Sequence, residues 1–190
     1  MSWYELLLFL HISAAIIWLG AGFLITLVTF GARSSGDRAK ELAEQQGLGW
    51  LAPRLFIPAS LGTMILGVLL VIDSDFWGFD QLWIVIGLAG WLVSFVLGFF
   101  FFRPEGERIS AIVTERGPND PELDGRLLNV AALDRFQVLV LFLVVADMVL
   151  KPTGEDEGIL IVGALLTAAA AVAAVLAIRS GPAAAERPSA

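Results

Sequence analysis

The polar positions of this chain fall in clumps. Between them lie long stretches without one Asp, Glu, Lys or Arg: Leu6–Ala32, Leu55–Ile72, Gln81–Phe102 and Gly158–Ile178. A hydrocarbon layer about 30 Å thick is crossed by roughly 20 helical residues rising about 1.5 Å each. The pattern therefore predicts membrane-spanning helices over about 4–30, 51–72, 81–102 and 158–178. A further span, about 127–150, is less plain. Its charge-free part, Phe136–Ala146, is short, so it borrows Arg126–Arg135 on one side and Asp147–Leu150 on the other. Asp120-Pro121-Glu122 has the form of an N-cap, a proline at the first helical position and an acid in the first turn. That helix is expected to start in water and run into the membrane until Lys151-Pro152 stops it. The first span lacks a basic leader and is too long for a cleaved signal peptide, so it is expected to stay. Residues 181–190, rich in Pro and Ala, are expected to be a disordered tail. The expected fold is all-α: one polytopic transmembrane helix bundle over 1–180, about five helices, four forming a core and the alanine-rich fifth packed alongside.

Charge then orients the bundle. Arg33, Arg38, Lys40, Arg54, Arg103, Arg108, Arg116, Arg126, Arg179 and Arg187 fall on one side, and Lys151 alone on the other. Basic loops stay in the cytoplasm, so the N-terminus is expected outside and the C-terminus inside, in the plasma membrane. Asp37–Gln46, ended by Gly47, looks like a short polar helix. Glu105–Arg116 sets Ile109, Ile112 and Val113 on one stripe, as an interfacial amphipathic turn would. Both loops are expected to be solvated connectors. Trp3, Trp50, Trp77 and Trp83 fall near span boundaries, where indoles prefer to sit.

Composition narrows the chemistry. Of 190 residues, 57% are hydrophobic and 16% charged, against roughly 25% charged in a soluble domain. There is no cysteine, so disulfides, thiolate metal sites and cysteine nucleophiles are excluded. One histidine cannot build a multi-histidine metal site or a bis-histidine haem within one chain. A net charge of −7 argues against nucleic acid. The partners expected are the lipid bilayer and either a second copy or another membrane protein. The excess of Arg over Lys, with abundant Ala and Gly, points to a GC-rich bacterial source. No hydrolase elbow, zinc-helix or phosphate-loop motif occurs.

A few residues stand out. His11, Ala15, Trp18 and Gly22 share one helix face, and Gly87, Gly90, Ser94 and Gly98 form a second small-residue stripe, both suited to close helix packing. His11 lies about 10 Å into the membrane at 1.5 Å per residue. Asp147 approaches a similar depth, so a His11–Asp147 hydrogen bond is expected, as a ligand or proton site. Lys151, one turn on, offers Asp147 an alternative surface pair. Arg54 is expected to pair with Asp134, while Arg135 snorkels. Pro53 and Pro58 are placed to kink the second span.

The opening Leu8-Phe-Leu-His11-Ile-Ser-Ala-Ala-Ile-Ile-Trp18-Leu-Gly20-Ala-Gly22, with Thr63-Met-Ile-Leu-Gly67 and Asp147-Met-Val-Leu-Lys-Pro152, resembles an uncharacterised family of integral membrane proteins, a domain of unknown function. That family is similar to the copper-resistance D-type membrane proteins. The resemblance covers roughly residues 4–152 and implies a compact bundle without established activity. Its copper-resistance relatives imply copper or haem traffic, with haem b or copper held by His11 and Met64, Met148 or a second subunit completing the site. The chain departs from any multi-histidine pattern. Three functions follow as expectations: a non-enzymatic structural or accessory membrane protein, a haem- or copper-binding protein using His11, and a small-solute or proton-coupled transporter.

Overall fold

The computed structural model describes residues 2–185, with the side chains at 45, 48–53 and 180–185 outside the description. Six α-helices follow one another: α1 Trp3–Ser34, α2 Arg38–Asp73, α3 Leu82–Val96, α4 Arg103–Arg116, α5 Glu122–Leu150 and α6 Glu157–Ala185. A π-helical stretch, Leu97–Phe102, joins α3 to α4 without a break. No strand occurs among the described residues. Residues 186–190, including Arg187 and the rest of the expected tail, lie outside them.

Local chemistry sets the ends. Ser2 and Glu5 form a reciprocal cap on α1: Glu5 N donates to Ser2 Oγ (3.2 Å) and Ser2 N to Glu5 Oε2 (2.7 Å). The turn into α2 passes through Gly36 at φ +70°, a conformation glycine adopts without penalty. Asp37 Oδ1 then accepts from Lys40 N at 3.2 Å. The polar helix expected to end at Gly47 does not end there. A helical glycine costs only about 1 kcal/mol relative to alanine, and α2 runs on to Asp73. Trp50 and Pro53 fall among the undescribed side chains, and the helix is continuous through Pro58. Asp120 Oδ1 accepts from Glu122 N at 2.9 Å at the start of α5.

Four stretches are long and apolar enough to cross a membrane: Trp3–Ser34, Arg54–Asp73, Leu82–Arg116 and Glu157–Arg179. They carry oil outward; Phe9, Ile16, Ile72, Phe100 and Leu165 are each more than 60% exposed. Helix α5, interrupted by Asp134, Arg135 and Asp147, is not among those four stretches, yet it lies at the centre. It packs against α1, α3 and α6, while α1 pairs with α2 along its length. Thus α1, α2, α3 and α5 enclose an interior, with α6 laid on the outer flank of α5.

At one end the two loops expected to be solvated connectors prove to be packed structure. The start of α2, all of α4 and the start of α5 bury Leu42, Ile109, Ile112, Leu123 and Leu127 together, with Val113 and Val130 against them. The physical reason is that each segment alone has only one or two apolar residues per turn, whereas three segments share one core. Ion pairs rim this cap: Arg126 with Glu105 (2.5 Å) and Glu122 (2.6 Å), Arg116 with Glu122 (2.6 Å), and Arg38 with Asp124 (3.0 Å) and Glu41 (3.3 Å). The two guanidinium groups hold the Glu122 carboxyl below its usual range.

Candidate functional site

Where α3 meets α5, glycine sets the spacing. A Cβ on Gly87 would run into Met148 Cε and lie 3.5 Å from Asp147 Oδ2. One on Gly90 would run into Val144 Cγ2. Gly22 on α1 faces α5 less tightly, its would-be Cβ 3.3 Å from Leu141 Cδ1. Gly98, from the same expected stripe, has open space around it, and Ala15 is half-buried.

These close approaches enclose polar groups. Ser60, Thr63, Ser94, Gln137 and Asp147 are all buried in the spanning part of the bundle. Some are satisfied: Trp91 Nε1 donates to Ser60 Oγ (3.0 Å), and Thr63 Oγ1 donates to Ala59 O (2.8 Å). Others are not. Ser94 Oγ, Gln137 Oε1, Trp18 Nε1 and both carboxyl oxygens of Asp147 are buried without a hydrogen-bond partner among the described residues. Buried polar groups are nearly always partnered, and water is scarcest in a membrane. Trp18 instead sets its ring edgewise to Phe56 at 6.1 Å.

The expected His11–Asp147 hydrogen bond is not formed. His11 Nδ1 lies 2.8 Å from Thr63 O. A carbonyl only accepts, so Nδ1 carries the hydrogen and Nε2 the lone pair. The imidazole rests against Gly67, where an added Cβ would come within 3.0 Å of Cε1. The reason is local: α1 packs on α2, and the missing side chain at Gly67 makes room for the ring. Nor is Asp147 paired with Lys151. Lys151 Nζ donates to Met148 O (2.9 Å) and lies over the rings of Trp83 (5.4 Å) and Trp77 (5.8 Å).

At the cap end, Asp134 faces α1 in a cleft with Thr26, Thr29, Phe30, Arg33, Ala131 and Arg135, where it was expected to meet Arg54 of α2. That cleft is about 10 Å³, room for roughly one water. Arg54 is exposed on α2, and Arg135 reaches over the Phe30 ring (5.8 Å). Sequence reasoning passed over Ser60 and Gln137, and took Thr63 only as part of a family motif. Their signal was a hydroxyl or amide inside an otherwise apolar span, which membrane helices also carry for packing alone. For a metal, no cluster of three or more His, Asp or Glu side chains occurs among the described residues. Met148 faces Gly87 of α3, whereas His11 faces α2. Met148 therefore does not join His11.

No curated protein and no solved structure matches this chain. Residues 5–152 match the family described as "Predicted integral membrane protein (DUF2269)", and the chain belongs to that family.

Proposed function

On the premise of that membership, we propose that the chain is a proton-coupled or small-solute transporter of the plasma membrane, a non-enzymatic bundle that takes up a proton or small cation at Asp147. One observation carries the reading: both Asp147 oxygens are buried with no hydrogen-bond partner among the described residues. An isolated carboxylate charge inside a membrane protein is costly, so a removable positive charge is what the group accommodates. Ser94 Oγ and Gln137 Oε1 add further unclaimed acceptors to the same interior. A purely structural or accessory role leaves these groups unexplained. The basic residues gathered at the cap end favour a cytoplasmic cap and an outer face bearing Asp75.

Reconstituted protein is expected to move protons or a monovalent cation across liposome membranes, and Asp147→Asn to abolish that flux. Flux unaltered by Asp147→Asn contradicts the reading. For the orientation, an impermeant thiol reagent on intact cells is expected to label Asp75→Cys and to spare Ser110→Cys; the reverse overturns it.

A haem- or copper-binding role at His11 has one observation in its favour. The Thr63 carbonyl fixes Nδ1 as donor, the arrangement that orients a ligating imidazole through its other nitrogen. A second subunit supplying donors would complete such a site. Absorption spectra and metal analysis of purified protein, with and without His11→Ala, decide it: a colourless, metal-free preparation counts against it.

A further inference from the structure

We infer that Lys151 and the Trp77–Trp83 pair form a latch over Asp147, closed while that carboxyl is neutralised and opened when it is charged. This rests on the reading of Asp147 as a loading site and adds its regulation.

The latch is built from two indoles, one in the α2–α3 loop and one at the start of α3, and a lysine just past the end of α5. The two indoles stand edge to face, 5.3 Å apart at 88°. Their loop is braced internally: Trp83 Nε1 donates to Gln81 Oε1 (2.9 Å), Gln81 Nε2 to Phe76 O (3.1 Å), and Phe76 N and Trp77 N to Ser74 Oγ (3.1 Å each). Lys151 joins this loop to the end of α5, with its ammonium over both rings. Its backbone is held at φ +47°, left-handed and rare for a side-chain-bearing residue. The Lys151 N–H donates to Asp147 O at 2.8 Å, and buried Pro152 follows.

Lys151 is therefore anchored just past the end of α5, four residues beyond Asp147, through its own N–H on the Asp147 carbonyl. Its ammonium rests on the Met148 carbonyl and the two indole faces, and in the latch the Asp147 carboxylate is its other partner. With Asp147 neutralised, the indoles win. With Asp147 charged and desolvated, the carboxylate is the stronger partner, and the α2–α3 loop loses its tie to α5. No charged side chain among the described residues hydrogen-bonds to Asp147. Gly87 is what α3 presents to Asp147, and His11 of α1 is committed to Thr63. Asp73, Asp75 and Asp80 around the α2–α3 loop are exposed, as are Glu155 and Glu157, while Asp156 is engaged by Thr153. Among the described residues, Lys151 is the one basic side chain in the α2–α3 and α5–α6 loops.

The test is tryptophan fluorescence of the full chain in lipid nanodiscs, titrated from acid to alkali with and without sodium or potassium. Trp77→Phe and Trp83→Phe assign the signal. Wild-type protein is expected to show a transition from these two indoles as Lys151 leaves them, and Asp147→Asn and Lys151→Gln to lose it. A transition moved by sodium or potassium identifies a metal cation as the cargo; one indifferent to both identifies the proton. A transition that persists in Asp147→Asn overturns the latch. So does a silent wild type whose Asp147-dependent flux is intact. Flux that never depended on Asp147 instead fails the loading site itself.

Discussion

In the cap, five aliphatic side chains from α2, α4 and α5 meet in one core, and carboxylates and guanidinium groups interlock around them. In the spanning bundle the layers are reversed. Phenylalanine and isoleucine face outward, while Ser60, Thr63, Ser94, Gln137 and Asp147 are inside. The cap is organised by the hydrophobic effect, which needs water outside. The bundle has lipid outside, so burying apolar groups gains it little, and it depends on close backbone approach and interhelical polar contacts. The contrast bears on function. The rim's ion pairs account for Arg126, Glu105 and Glu122 as structure, whereas no hydrogen-bond partner among the described residues accounts for Asp147.

The largest expected effect is in the cap. Leu123→Ala removes a side chain with no exposed surface, and truncations of that kind cost about 2–5 kcal/mol. Limited proteolysis should show α4 and the start of α5 cut faster, with the spanning helices still protected. Equal loss of protection in both regions would mean that cap and bundle are one cooperative unit.

The next test lies in the bundle. Gly90→Ala drives a methyl group against branched, stiff Val144 and should cost about 1–3 kcal/mol as overpacking. Gly98→Ala, facing open space, should change thermal stability by less than about 0.5 kcal/mol. Similar melting temperatures for the two variants would show that close approach of α3 to α5 is not what holds the bundle.

The smallest effect is electrostatic. Arg116 and Arg126 depress the Glu122 carboxyl, so it titrates lower in the folded than in the unfolded chain. Its contribution is present above the ordinary glutamate range and is lost as pH falls through the depressed folded value. Acid should loosen the wild-type cap slightly more than that of Glu122→Gln, as read by proteolysis. Salt should blunt the difference, because the carboxylate is solvent-exposed.

Much of the bundle was legible because charge-free length is a one-dimensional property: Leu6–Ala32 needs no partner to be recognised as a span. The cap was not, because its core is assembled from Leu42, Ile109 and Leu123, far apart in sequence and each set among charges. The pairing of Arg38 with Asp124 is equally invisible along the chain. At the site, Asp147 was legible as an acid inside an apolar helix. The placement of His11 was not, because its partner is the backbone carbonyl of Thr63, which no side-chain identity signals. The glycines of α3 and of the π-helical stretch after it were readable as a stripe, but only packing distinguishes Gly90 against Val144 from Gly98 in open space.

The central claim is that Asp147 is kept at a cost to the bundle, for the charge it loads. Thermal unfolding of Asp147→Leu in detergent or lipid tests it most directly. Replacing an unpartnered buried acid with an apolar side chain of similar size should stabilise the fold by about 1–4 kcal/mol, as apolar replacements of buried charged groups commonly do, and so raise the melting temperature. A lower melting temperature, the mark of a carboxyl that holds the helices together, would contradict the account.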